Sequence, residues 1–98
     1  MEIRYATRKL ERLATEKEYT AKLGGAIVSG YRKVLGFIES AHDERDLYAV
    51  KSLRFEKLKG DRGGQSSLRI NDQWRLIVTV EKMDSWKVVV VVEIVDYH

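Results

Sequence analysis

The apolar residues of this 98-residue chain change their spacing once, near Lys51. Ahead of that point, Ile27, Tyr31, Val34, Ile38 and Ala41 recur at steps of four and three, with Leu35 beside them. Such spacing aligns them on one face of a helix running from Ala26, with Arg32, Lys33 and Glu39 off the stripe. Upstream, Thr7 suits the cap of a first helix, and Leu10, Leu13 and Ala14 form its narrow apolar stripe among Arg8, Lys9, Glu11 and Arg12. Gly24 and Gly25 separate the two patterns. Glu2 to Tyr5 reads as a short edge strand, and Asp43 to Tyr48 as one more helical turn.

After Lys51 the period falls to two, as Leu53 and Phe55 alternate with Arg54 and Glu56. Further strands are expected over Gln65 to Ile70, Trp74 to Val80, and Trp86 to about Val95. The apolar run in the last suggests a central strand covered on both faces. The turns between them fall at Gly60 to Gly64, where glycines accept positive φ, and at Lys82 to Ser85. Helices followed by strands imply an α+β fold. We expect an N-terminal helical hairpin packed on a mostly antiparallel, twisted sheet, with residues 1–98 forming one domain.

The join between the second and third of these strands is fixed by its side chains. Leu68, Ile70, Trp74, Leu76, Val78 and Val80 should share the buried face. A two-residue loop at Asn71-Asp72 would pair Leu68 with Arg75. A longer one, Asn71-Asp72-Gln73, pairs Ile70 with Trp74 and Leu68 with Leu76, so the longer loop is expected. Arg69 and Arg75 then become cross-strand neighbours, where like charges repel. Either an internal partner (Gln65, Glu56 or the terminal carboxylate) neutralises them, or an outside phosphate does. On charge alone the internal partner is the commoner outcome, since most charge clusters are solvated faces, while two planar guanidinium forks on a rigid sheet would suit the phosphate.

Charge points the same way. Residues 51–75 hold seven basic side chains against Glu56, Asp61 and Asp72, a sum of +4 in a chain whose total is +3, so the remainder sums to −1. A concentration of this kind attracts polyanions. With no cysteine, disulfides, thiolate nucleophiles and cysteine metal sites are excluded. The N-terminus is charged throughout, unlike a signal peptide, and the longest apolar run, Val88 to Val92, is far below the roughly 20 residues of a membrane helix. A soluble, cytoplasmic protein is the expectation. Trp74 is assigned to the core, Trp86 to core or a stacking surface, His42 to structure, and Asp61 and Asp72 to turns.

The stretch LKGDRGGQSSLRINDQWR (Leu58 to Arg75), followed by a strand ending in Asp96-Tyr97-His98, resembles the HigB-type toxins of the RelE/ParE superfamily, the plasmid-maintenance killer proteins. The likeness spans essentially the whole chain and is strongest after Leu53. It implies a RelE/ParE-like fold akin to microbial RNases. It also implies a toxin that cuts mRNA in the ribosomal A site, beside 16S rRNA, and is held inactive by a helix-turn-helix HigA-type antitoxin. The free toxin would be a monomer, and the complex with antitoxin 1:1 or 2:2. Carried over by motif, Lys59, Arg75, Asp96, Tyr97 and His98 take catalytic positions. Glu56 stands where many members carry a histidine. Arg54, Lys57, Arg62, Gln65, Arg69 and Gln73 are candidate RNA contacts. Superfamily relatives of the ParE type instead poison DNA gyrase on a similar fold. A basic adaptor that merely docks on RNA or protein is the third alternative.

The chemistry asked of such a site is definite. Metal-free RNA cleavage needs a base for the 2′-OH proton, cations for the crowded phosphate oxygens and an acid for the 5′-oxygen, and leaves a 2′,3′-cyclic phosphate. Two histidines and no cysteine argue against a dedicated transition-metal site, and no cofactor is expected. Histidine is the side chain whose reference pKa, roughly 6.5, lies near neutrality. Lys59 and Arg75 suit charge stabilisation. His98 or Glu56 is the candidate base, and His98 or Tyr97 the candidate acid. Asp96 is expected to orient Arg75 or cap the strand rather than move protons.

Overall fold

The computed structural model describes residues 1–96. Its elements are β1 (Glu2–Tyr5), α1 (Arg8–Thr15), α2 (Gly25–Ser40), α3 (Glu44–Ala49), β2 (Glu56–Lys57), β3 (Ser66–Arg69), β4 (Trp74–Lys82) and β5 (Lys87–Asp96), with single 3₁₀ turns at Lys51–Leu53 and Gly60–Arg62. The strands form one five-stranded sheet in the order β1-β5-β4-β3-β2. β1 runs parallel to β5, and the remaining pairs are antiparallel. The fold is α+β as expected, with α3 added to the helical hairpin.

The helices begin where the sequence offers caps. The Leu10 amide donates to Thr7 Oγ1 at 3.2 Å, and the Arg45 amide to Asp43 Oδ1 at 2.9 Å. Each bond satisfies an amide left open by the first helical turn. Arg32 closes the other end of α1: its Nε donates to the Leu13 carbonyl at 2.8 Å and its Nη2 to that of Glu16 at 2.9 Å. A cation on those carbonyls also opposes the negative end of the helix dipole.

The stripes meet one face of the sheet. Leu10 and Leu13 of α1 and Val28, Tyr31, Val34, Leu35 and Ile38 of α2 pack with Leu68, Leu76, Val78, Val89 and Val91. Val28 is buried where the spacing favoured Ile27, which stays half-exposed in the first turn of a helix that starts at Gly25. Tyr31 is fully buried and its hydroxyl donates to the Leu10 carbonyl at 2.8 Å, which joins α1 to α2 without an unmet polar group. Burial pushes its phenol above the ordinary tyrosine range. At Gly30 the backbone of α2 nearly touches the sheet: a Cβ there would lie 2.7 Å from Ile70 Cγ2 and 3.1 Å from the Ile70 carbonyl oxygen.

The first expected strand after Lys51 is corrected by the structure. Leu53 ends a 3₁₀ turn, and Arg54 follows in the left-handed region at φ 45°. This twist turns Leu53 and Phe55, 3% and 6% exposed, into the same core. Their alternation reflects a turn rather than a pleat, and the strand shrinks to Glu56–Lys57. No helix among the described residues is long and apolar enough to cross a membrane.

Candidate functional site

The sheet face away from the helices carries the charge, and a bulge decides which residues of β5 reach it. Val78 pairs with Val91 but Ile77 pairs with Glu93, so Val92 is an extra residue in β5. A one-residue insertion exchanges the two faces of every residue beyond it. Val89 and Val91 point into the core, and an unbroken strand would send Glu93 after them. The bulge instead sets Glu93 and Val95 outward and turns Ile94 against the core. Two rows then cross the outer face: Glu56–Ser67–Ile77–Glu93, and beside it Arg69–Arg75–Val95.

The loop between β3 and β4 closes as expected. The Ile70 amide donates to the Trp74 carbonyl at 2.9 Å, Leu68 pairs with Leu76, and Arg69 lies opposite Arg75. Asn71 Oδ1 accepts from the amides of Gln73 and Trp74, each at 2.9 Å, and sets the turn. Each of the two arginines finds a partner in the loop itself, and the terminal carboxylate lies outside the described residues. Arg69 Nη2 forms an ion pair with Asp72, and Arg75 Nη1 donates to the Asn71 carbonyl at 2.8 Å. The hydrogen bond from Arg69, then its charge and those of Arg54 and Arg75, hold the Asp72 carboxyl below the usual aspartate range. Asp72 is thus more than a turn residue: it is the counter-ion of an arginine cluster.

Next to this cluster, the turn after β2 leans over the outer face and leaves a cleft of about 630 Å³ lined by Leu58, Lys59, Asp61, Arg62, Ile77, Val95 and Asp96. Ile77, 1% exposed, forms its apolar floor. Arg62 Nη2 reaches across to Glu93, and Arg62 Nη1 donates to Gln65 Oε1 at 2.9 Å. Lys59 has no hydrogen bond or ion pair among the described residues. Gln73 Nε2 donates to Asp96 Oδ2 at 2.9 Å and steadies the end of β5.

The candidate residues therefore divide. Lys59, Arg62 and Asp96 come together in the cleft, and Arg75 stands beside it, paired in register with Val95. Arg54 and Arg69 belong to the Asp72 cluster. Gln65 and Gln73 hold Arg62 and Asp96 in place. Glu56 is exposed on β2 and absent from the cleft lining, and Lys57 lines a separate cavity with Gln65 and Val80. Tyr97 and His98 lie outside the described residues. Glu93 was not anticipated, although one carboxylate interrupting the run VVVVVEIV was its visible sign. Trp86 is 50% exposed and Trp74 packs half-buried against the core. His42 accepts an ordering role, its amide donating to Asp46 Oδ2 at 2.8 Å. Among the described residues no group of three or more His, Cys, Asp or Glu is placed to hold a metal ion.

Comparison with known proteins supplies the family. One family profile, described as the RelE-like toxin of the type II toxin-antitoxin system HigB, matches residues 3–98. This chain belongs to the HigB-like toxins. The fold agrees with solved RelE-superfamily toxins over nearly the full length of each chain. A YoeB/ParE toxin from Agrobacterium tumefaciens aligns at TM-score 0.61 and 17% identity, covering 100% of this chain and 99% of the other. The YoeB-YefM complex from Staphylococcus aureus gives 0.62 and 22%, with 100% and 97% covered. YafQ from E. coli strain BL21(DE3) gives 0.59 and 14%, with 97% and 91% covered. No curated protein matches the sequence. In this HigB-like toxin the motif Leu58 to Arg75 supplies Arg69, Asp72 and Arg75 of the arginine cluster and one wall of the cleft, and β5 forms the opposite wall.

Proposed function

We propose that this HigB-like toxin is an endoribonuclease that cuts mRNA in the ribosomal A site by metal-free attack of a 2′-OH. The reading rests on one observation: the cleft brings Lys59, in no ion pair among the described residues, together with Asp96 at the end of the last strand. An ammonium so placed stabilises the charge that grows on a phosphorane-like transition state, and Arg75 beside it offers a second cation. Proton transfer falls to the residues that follow Asp96. Glu56 is separated from β5 by three strand spacings, about 14 Å, so His98 is the better base. Tyr97 then protonates the 5′-oxygen, and the products are a 2′,3′-cyclic phosphate and a 5′-hydroxyl. Arg54 and Arg69, only partly offset by Asp72, guide RNA to the cleft. A helix-turn-helix antitoxin of the HigA type holds the toxin in check, in a 1:1 or 2:2 complex.

The test is brief expression followed by mapping of transcript 5′ ends. New in-frame, translation-dependent cuts are expected, and His98→Ala or Arg75→Ala should each lose growth arrest while still binding antitoxin. Growth arrest with unchanged transcript ends, and with gyrase–DNA cleavage complexes stabilised instead, would overturn the reading.

A further inference from the structure

We propose that Glu93 is a positioning residue: through Arg62 it pins the turn that carries Lys59 against β5, and the bulge at Val92 is what delivers it there. The activity arm of this proposal rests on the nuclease reading above. A carboxylate within an apolar strand is costly unless paired, and an unbroken β5 would aim this one at the core. The bulge turns it outward, opposite Ile77, where Arg62 meets it. The pair spans 31 residues of sequence.

The turn has need of such a tether. Gly60 and Gly64 adopt φ of 67° and 87°, and Gly63 lies between them, so this backbone has much freedom to lose on ordering. Among the described residues, its other hydrogen bonds close the turn on itself: Leu58 amide to Gln65 carbonyl, Gly63 amide to Gly60 carbonyl, Gln65 amide to Arg62 carbonyl, and Arg62 guanidinium to Gln65 side chain. The contact with Glu93 is the one that crosses the cleft. Lys59 caps the same 3₁₀ turn that ends at Arg62, so holding Arg62 fixes where the ammonium stands relative to Asp96. This moves Arg62 from a direct RNA contact to a structural one.

The experiment uses the purified full-length toxin with Glu93→Gln and with the exchanged pair Arg62→Glu/Glu93→Arg. Amide hydrogen exchange over residues 59–64 is measured alongside single-turnover cleavage of mRNA on programmed ribosomes. Glu93→Gln should speed exchange in the turn by about two- to fivefold and slow the maximal cleavage rate about 10-fold or more, with the half-saturating ribosome concentration little changed. The exchanged pair should recover both. Unchanged exchange in Glu93→Gln, or an exchanged pair that recovers neither quantity, overturns the proposal. So does a defect confined to the half-saturating concentration, which marks a surface contact instead. Should wild-type toxin cut nothing, the nuclease reading falls, while the exchange data still decide whether Glu93 pins the turn.

Discussion

At the β3–β4 hairpin, Arg54, Arg69 and Arg75 gather around Asp72, whereas in the cleft beside β5 the turn presents Lys59 with no ion-pair partner among the described residues. The two places lie on one sheet face and draw on the same basic stretch. One ties an arginine to a loop carboxylate, and the other holds a lysine in no ion pair among the described residues, with Asp61 and Asp96 in the same lining. Three guanidiniums against one carboxylate leave the cluster net positive, so it attracts a polyanion over a distance. An ammonium held in no ion pair is stabilised most by a phosphate whose charge is growing.

The sharpest way to break this comparison is to remove one residue from each place. Lys59→Ala should lower single-turnover cleavage by about 10² to 10³-fold, while Asp72→Asn should leave the rate within a few fold. Equal losses would mean that the two regions act as one site. Gly30→Ala comes next in size. Its Cβ would press on Ile70 at the root of the hairpin, costing about 1–3 kcal/mol in denaturant unfolding. Asp72→Asn should also steepen the salt dependence of binding to free single-stranded RNA by about 0.7 in logarithmic slope, since one more arginine is released to phosphate. Its carboxyl is depressed, so its contribution is present above the ordinary aspartate pKa of 3.8 and is lost as pH falls through the lower folded-state value.

The smallest effect belongs to the far end of β5, where Lys87 Nζ donates to Glu44 Oε1 at 2.6 Å on the helical side. That hydrogen bond is the main reason the Glu44 carboxyl is held below its ordinary value of 4.5. Glu44→Gln should cost roughly 0.5 kcal/mol at neutral pH, as exposed pairs are screened. The difference from wild type should vanish in thermal melts as pH falls well below that value, because both side chains are then uncharged at that position.

Much of this division could be read from the residues. The stripe of α2, the Thr7 cap, the longer loop at Asn71 and the apposition of Arg69 and Arg75 all follow from side-chain period and burial, which are local properties. Where a run is uniformly apolar, period carries no information. Five successive valines from Val88 to Val92 accept a bulge at no visible cost in pattern, so the outward turn of Glu93 was hidden. The left-handed Arg54 was equally hidden, because a non-glycine residue at positive φ gives no signal in composition. The partners of charged groups were legible only in part: a three-residue offset joins Arg69 to Asp72, but tertiary folding alone joins Arg62 to Glu93.

In the proposed reading, Lys59, held in no ion pair among the described residues, makes a nuclease of a basic surface. Single-turnover cleavage of mRNA on programmed ribosomes by wild type and Lys59→Ala, with the 3′ ends of the products characterised, tests it most directly. The account predicts 2′,3′-cyclic phosphate ends from wild type and a rate at least about 10²-fold lower for the variant. Cleavage by Lys59→Ala at the wild-type rate, or no cleavage by either protein, would contradict it.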